Sequence, residues 1–321
     1  MLPQFGFVRA QTLDEAFAQL DAADTRVSAG GSDLLGCLRD GVFDCAKVVS
    51  LSRLDALRGI AANGGGLRIG ALARIAEVAA NPTVNERYAV LAQAAGAVAS
   101  PQLRNQGTIG GNLCQKPRCW YYRGEFHCKR KGGDTCYALA GENQFHCILG
   151  GQGCYIVHPS DTAPALVALG ATVRIASREG TRTVPIEEFH VSPRDDVQRE
   201  TVLRAGEVVT AIDIPAPPRG LRSSYRKVRA RGSWDFALAG VALALQFDGT
   251  TVTGGRVALS GVAPVPWRAR AVEQAIMGQA LTPEVAERAG AAAVEGAAPL
   301  KRNGYKVPLV RNVVREALLA I

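Results

Sequence analysis

Apolar and polar positions along the chain alternate in runs that predict a mixed helix and strand protein. Apolar residues at helical spacing in DEAFAQLDAAD, Asp14 to Asp24, predict a helix. In TRVSAGGSDLLGCLRDG, Arg26 to Ala29 predicts a short strand and Gly30 with Gly31 a turn. Ser32 or Asp33 then caps a helix carrying Leu34, Leu35 and Leu38, which Gly41 ends. AKVVSLSRL predicts a strand. GGGLRIGALARIAEVAANPTV predicts a turn, a strand at Leu67 to Ile69 and a helix. YAVLAQAAGAVAS predicts an alanine-rich helix that stops before Pro101, because the residue preceding a proline avoids helical backbone. QLRNQGTIGGNL predicts an extended, glycine-containing segment.

From Cys114 to Cys154 neither a period of 2.0 nor one of 3.6 is sustained. So long a stretch without pattern is uncommon inside a compact domain. It cannot bury enough apolar surface to order itself, and an anchored cofactor would hold it. Beyond it, HPSDTAPALVALGATVRIAS predicts a helix from Ser160–Asp161 that passes through Gly170 into a strand. GEVVTAIDIPAPP predicts a strand ending in a proline-rich hinge, Pro215 to Pro218, and a domain boundary falls near Gly220. Apolar strands followed by two helices, around RARAVEQAIMG and TPEVAERAGAAAVEG, predict an α+β unit downstream.

Composition narrows the class. A chain of 321 residues exceeds what one hydrophobic core accommodates. Hydrophobic content of 47% and charged content of 21% are those of an ordinary globular protein. No apolar run is long enough to cross a bilayer, and MLPQFGFVRAQTLDEAF lacks the pattern of a signal peptide, so the expected compartment is the cytoplasm. The net charge of +8 would suit nucleic acid, an acidic membrane surface or an acidic partner. The positive residues are dispersed, however, with one dense run at Lys129, Arg130 and Lys131. A solvated face is the simpler reading of that run, and a docking patch the alternative.

Three polar motifs carry candidate chemistry. AGGSDLLG, Ala29 to Gly36, places a glycine turn before a helix, where backbone N–H groups suit a phosphate; a purely structural turn reads equally well. Its spacing is not that of the dinucleotide fingerprint. TIGGNL, Thr108 to Leu113, allows close backbone approach to a ligand, or forms a tight bend. In HPSD, Asp161 either caps a helix or accepts hydrogen bonds from a sugar or base.

Six of the eight cysteines lie between Cys114 and Cys154. With no secretion signal, they point to a metal or cluster site rather than to disulfides. Cys37 and Cys45 read as buried small hydrophobes. The spacing Cys119-x8-Cys128-x7-Cys136-x17-Cys154 lacks the close pairs of zinc ribbons. An iron–sulfur cluster fits it better, with zinc and reduced structural thiols as the other readings. Of His127, His146, His158 and His190, the two beside cysteines read as neighbours of a site rather than ligands.

Taken together, AGGSDLL, RIGALA, QLRNQGTIGGNL, HPSDTAPAL and YRKVRARGSWDFALAGVA span nearly the whole chain. In this order they resemble the FAD-binding medium subunits of the molybdenum hydroxylases. The subgroup with an inserted cysteine loop, the 4-hydroxybenzoyl-CoA reductase and bacterial aldehyde oxidoreductase type, is the most similar. The resemblance implies an α+β fold: a vanillyl-alcohol-oxidase/PCMH-type FAD domain over 1–219, then a carbon monoxide dehydrogenase flavoprotein-type C-terminal domain over 220–321. The first would hold subdomains of about 1–55 and 56–219, with the insert at 114–155. Ala29, Gly30, Gly31, Ser32, Asp33 and Leu34 would bind the FAD pyrophosphate. Thr108, Gly110, Gly111 and Asn112 would line its other side, Asp161 would hold the adenosine or ribitol region, and Lys227 would lie near the flavin. Cys119, Cys128, Cys136 and Cys154 would carry a [4Fe–4S] cluster, with Cys147 the rival for the fourth place.

The function implied is electron transfer, with no catalytic side chain in this chain. The partners implied are a large molybdenum-cofactor subunit, a small subunit with two [2Fe–2S] clusters, and an external carrier. That carrier is a ferredoxin, NAD, a quinone or oxygen; nucleic acid and membrane are not expected partners. A ferredoxin-driven dehydroxylase is the rival direction, and a zinc-stapled nucleic-acid-binding protein the rival class. A partner bearing an export signal would carry this subunit to the periplasm.

Overall fold

The computed structural model describes residues 1–20 and 24–321, and their strands form three sheets. The first sheet is built from β1 (Gly6–Arg9), β2 (Thr25–Ser28) and β3 (Lys47–Ser50), with α1 (Leu13–Leu20) and α2 (Leu34–Arg39) as crossovers. Its order is β1-β3-β2 and both pairings are parallel. Helix α1 turns Ala16, Phe17 and Leu20 onto Val49, Leu51 and Leu54. The tail of the helix expected to run to Asp24 falls in part on 21–23, outside the described residues.

The second unit runs through β4 (Ile60–Asn63), β5 (Gly66–Gly70), α3 (Ile75–Ala80), α4 (Pro82–Arg87) and α5 (Ala89–Gly96). It continues with α6 (Pro101–Gln106), α7 (Ile109–Leu113) and α8 (Trp120–Arg123), then α9 (Thr162–Leu169), β6 (Thr172–Ser177), β7 (Gly180–Pro185), α10 (Ile186–Phe189) and β8 (Val208–Ile214). The antiparallel sheet has the order β4-β5-β8-β6-β7. Helix α9 is buried at every residue and forms the centre of the main core, as a helix apolar on all sides must be.

One expectation fails here. QLRNQGTIGGNL is not extended but forms α6 and α7. Each of these short helices has its own cap. Ser100 Oγ accepts from Leu103 N with Pro101 in the first turn, and Thr108 Oγ1 accepts from Gly111 N. The caps outweigh the poor helix propensity of the glycines.

The third sheet contains β9 (Leu221–Val228), β10 (Ala239–Asp248), β11 (Thr251–Ser260) and β12 (Trp267–Arg268), in the order β12-β11-β10-β9. Both faces of β10 are buried. Val241, Leu243 and Leu245 face α11 (Arg270–Ile276), α12 (Pro283–Ala292) and α13 (Lys306–Leu319). Ala242 and Ala244 face the main core, where their small side chains let the sheet approach α5 and α9. Sequence periodicity predicted two of these helices and missed α13, the longest. Pro308 interrupts its pattern but stands in the first turn, where no intrahelical N–H bond is lost.

This packing sets the site. Tyr225 of β9 pairs with Ala242 and Lys227 with Gly240, so both side chains point to the main-core face and the start of α9. Gly240 leaves them room: a Cβ there would lie 2.4 Å from Ser260 Oγ. Among the described residues no helix is long and apolar enough to cross a membrane.

Candidate functional site

The two glycine segments, which begin 79 positions apart in sequence at Ala29 and Thr108, meet. Gln106 Nε2 donates to Gly30 O at 2.9 Å. A Cβ on Gly30 would lie 2.1 Å from Gln106 O, so no other residue fits without moving α6. Gly31 has φ +72°, the left-handed backbone that glycine adopts at least cost. Gly110 is buried against Ala71, where a Cβ would sit 2.8 Å from the alanine Cβ. Gly111 is exposed, and a Cβ there would face Ala29 at 4.0 Å. Gly110 therefore packs α7 onto the scaffold, while Gly111 keeps open the space between the loops. Ser32 is exposed at the same mouth and Leu34 half-buried.

Asp33 does something the sequence did not predict. It stands at the N-cap of α2 but makes no capping bond. Its carboxylate accepts instead from Lys116 N at 2.7 Å, Arg123 Nη2 at 2.7 Å and Arg118 Nη1 at 2.9 Å. These donors all belong to the cysteine-rich segment, so Asp33 ties that segment to the first glycine loop.

Asn112 Oδ1 accepts from Thr162 Oγ1 at 2.7 Å and from Ser160 Oγ, joining α7 to the first turn of α9. The capping bond of α9 comes from Ser160, whose hydroxyl accepts from Ala163 N at 3.0 Å, while Asp161 at the N-cap position makes no capping bond. The Asp161 carboxylate accepts from Tyr225 Oη and Lys227 Nζ, each at 2.7 Å, and Lys227 Nζ also donates to Ala97 O at 3.1 Å. Burial pushes the Asp161 carboxyl up from its ordinary value, with Lys227 opposing. Asp161 and Ser160 line a cleft of about 180 Å³ together with Phe236, Leu238, Cys119, Trp120, Phe145 and His146. Sequence reasoning named Asp161 and Lys227 separately. It missed Tyr225, although the YRK triplet of a strand sends its first and third side chains to one face.

Four of the six clustered thiols converge as well. Cys119, Cys128, Cys136 and Cys154 line one cavity, together with Tyr121, Tyr137, Lys129 and Arg130. Among the described residues no three His, Cys, Asp or Glu side chains come as close as a single metal ion requires. All eight thiols are free. Burial pushes Cys119 up to about 12, and Cys154 up against the lowering charge of Arg130. Cys147 lies outside the cavity lining, buried against Gly151. Cys114 packs on the main core, and Cys37 and Cys45 are buried as expected.

The basic run is not a solvated face. Arg130 is buried, pairs with Glu200 at 2.8 Å and donates to Val197 O and Arg199 O; Lys131 Nζ donates to Gly124 O. Lys116 also reaches Glu200. The four histidines are not gathered at one place. His127 is exposed, His158 and His190 stack edge-on 4.3 Å apart in the core, and His146 Nε2 lies 3.3 Å from Cys119 Sγ.

Comparison with known proteins gives this geometry its context. Residues 3–217 match the model of the FAD binding domain in molybdopterin dehydrogenase, and residues 223–321 that of the CO dehydrogenase flavoprotein C-terminal domain. The chain is 41% identical over 249 residues to the aldehyde oxidoreductase FAD-binding subunit PaoB of Escherichia coli, covering 76% of this chain and 77% of that one. It is 29% identical to the carbon monoxide dehydrogenase medium chain of Hydrogenophaga pseudoflava, covering 99% and 97%. Among solved structures, carbon monoxide dehydrogenase from the same organism superposes with a TM-score of 0.79 at 28% identity, over 100% of this chain and 98% of that one. The chain belongs to the family of FAD-binding medium subunits of the molybdenum hydroxylases.

Proposed function

We propose that this chain is the FAD- and [4Fe–4S]-carrying electron-transfer subunit of a molybdenum-cofactor oxidoreductase of the aldehyde-oxidising type. In that assembly a large subunit holds the molybdenum cofactor and a small one the [2Fe–2S] clusters. FAD supplies exchange between two-electron and one-electron partners, and the cluster single-electron steps. This chain's residues bind, orient and exclude water.

One observation carries the iron–sulfur half of the reading. Four thiols spread over 36 residues of chain with only short helical turns line a single cavity, and that cavity shares lining residues with the cleft at Asp161. A cavity of about 20 Å³ lined by four cysteines and two cationic residues offers the donor set of a cluster with thiolate ligands and net negative charge. The position of Cys154 in the lining, and of Cys147 outside it, supports Cys154 as fourth ligand. For FAD, the Ala29–Leu34 side of the mouth offers backbone N–H groups, while those of Ile109–Asn112 are taken by Ala73 O, Ala71 O, Thr108 Oγ1 and Thr108 O, so that side contributes the open space that Gly111 leaves. The cleft lined by Ser160 and Asp161 then receives the ring system.

The family and the 41% identity to an aldehyde oxidoreductase subunit support the aldehyde-oxidising reading over the ferredoxin-driven dehydroxylase. The test is cofactor content after anaerobic purification. One FAD with about four iron and four sulfide per chain is expected. FAD without iron would leave a flavoprotein with structural thiols. Iron without FAD would undo the assignment of the glycine loops.

A further inference from the structure

The flavin cleft and the four-thiol cavity are separated by a thin wall. Three residues line both sides of it: Cys119, Ile156 and His146. Ile156 is apolar and Cys119 is a candidate ligand. His146 is the remaining polar group of the wall, and the electron-transfer role leaves it unused.

Its geometry is specific. The residue is 4% exposed, with Nε2 3.3 Å from Cys119 Sγ. Trp120 and Tyr121 flank its ring, with ring centroids at 6.0 and 6.2 Å. The backbone is pinned from the C-terminal unit: Asn303 Nδ2 donates to His146 O and to Cys147 O, each at 3.0 Å, and Lys306 Nζ donates to Phe145 O at 3.1 Å. Nδ1 is buried and has no hydrogen-bond partner. A thiolate sulfur only accepts, so beside a ligating Cys119 the ring proton belongs on Nε2.

We infer that His146 is a positioning residue whose Nε2–H donates to the Cys119 sulfur and raises the reduction potential of the cluster at the wall it shares with the flavin. The inference rests on the cluster assignment above. Reduction adds one electron to the cluster and makes its sulfurs more negative. A fixed N–H beside one of them stabilises that state over the oxidised one, and hydrogen bonds to sulfur are among the levers that set such potentials. The low polarity of the wall strengthens the effect. Because Nδ1 has no partner, an apolar residue here deletes one hydrogen bond and leaves no second group orphaned.

The experiment is spectroelectrochemical titration of the purified complex, with iron and FAD counted for every sample. His146→Leu should keep both cofactors and lower the equilibrium constant for cluster reduction about tenfold, ~59 mV for one electron. His146→Gln keeps an N–H and should recover at least half of that shift. Three results overturn the inference: an unchanged potential in His146→Leu, an equal fall in both variants, or loss of iron from both. The last would mean that the ring holds the loop rather than tunes the sulfur. A wild-type protein without four iron atoms would instead remove the cluster reading itself, and this inference with it.

Discussion

Lys227 of β9 and Asp161 at the start of α9 form an ion pair of 2.7 Å in which the two side chains are 4% and 6% exposed. The pair joins the C-terminal sheet to the start of α9, beside the cleft lined by Ser160 and Asp161. Two desolvated charges roughly break even while paired, but removing one strands the other. Lys227→Met is therefore expected to cost about 3–5 kcal/mol in urea unfolding. Adding Asp161→Asn to that variant should recover much of the loss, because the orphaned charge goes. A loss below about 1 kcal/mol in the single variant, the range of exposed pairs, would show that water reaches the pair.

The glycines of the two loops make separable predictions. Gly30→Ala would drive a Cβ to within 2.1 Å of Gln106 O and push α6 away. It should lower the melting temperature and FAD occupancy together. Gly111→Ala meets only Thr108 Oγ1 at 3.0 Å on its own side and otherwise points into the open mouth. FAD affinity should fall at least tenfold there, while the melting temperature of the FAD-free protein stays within a degree or two. Fluorescence titration with FAD and thermal melts of the stripped protein read the two effects apart. Equal affinity in Gly111→Ala and wild type would remove Gly111 from the FAD site.

Much of this was legible in the chain because the signals were local. Strand β2, the turn at Gly31, the helix through Leu38 and the run from Asp161 through Gly170 into β6 each follow from neighbouring residues. What the sequence hid depends on partners far away. Asp33 looks like a cap, yet three donors from 83 to 90 residues downstream claim its carboxylate. Arg130 looks like surface charge, yet Glu200 draws it inside. Tyr225 shares a strand face with Lys227, but its bond to Asp161 shows only once α9 lies opposite. Helix α7 was misread because glycines argue against a helix, while the cap at Thr108 argues for one.

His158 and His190 should give the protein an acid-sensitive core. Burial holds His190 at about 4 rather than 6.5, and holds His158 well below its ordinary value, with the His190 and Arg130 charges adding to burial there. His190 Nε2–H donates to Leu113 O at 3.1 Å, and its Nδ1 is buried without a partner that could share a proton. Both folded-state values are depressed, so the stabilisation is complete above pH 6.5 and drains away as pH falls toward about 4. His190 alone accounts for about 3 kcal/mol across that window, at about 1.4 kcal/mol per unit. His190→Gln keeps a donor for Leu113 O and cannot titrate. Its stability should fall less steeply than wild type between pH 6.5 and 4 in urea unfolding series, and parallel curves would refute the assignment.

The sharpest separation is between Cys154 and Cys147, which spacing alone could not rank. Both are buried, but only Cys154 lines the four-thiol cavity. Cys147 packs against Gly151, and its N–H donates to Tyr155 O at 3.0 Å, a bond that a serine would keep. Cys147→Ser exchanges a buried thiol for a hydroxyl that lacks an assured partner, so it should cost about 1–3 kcal/mol of stability and retain all the iron. Cys154→Ser removes a sulfur from the cavity edge beside Arg130, and the iron and sulfide counted after anaerobic purification should collapse while FAD stays bound. The reverse pattern would move the fourth ligand to Cys147 and require the segment between Gly150 and Cys154 to rearrange around it. Iron retained in both variants would mean that three thiols suffice.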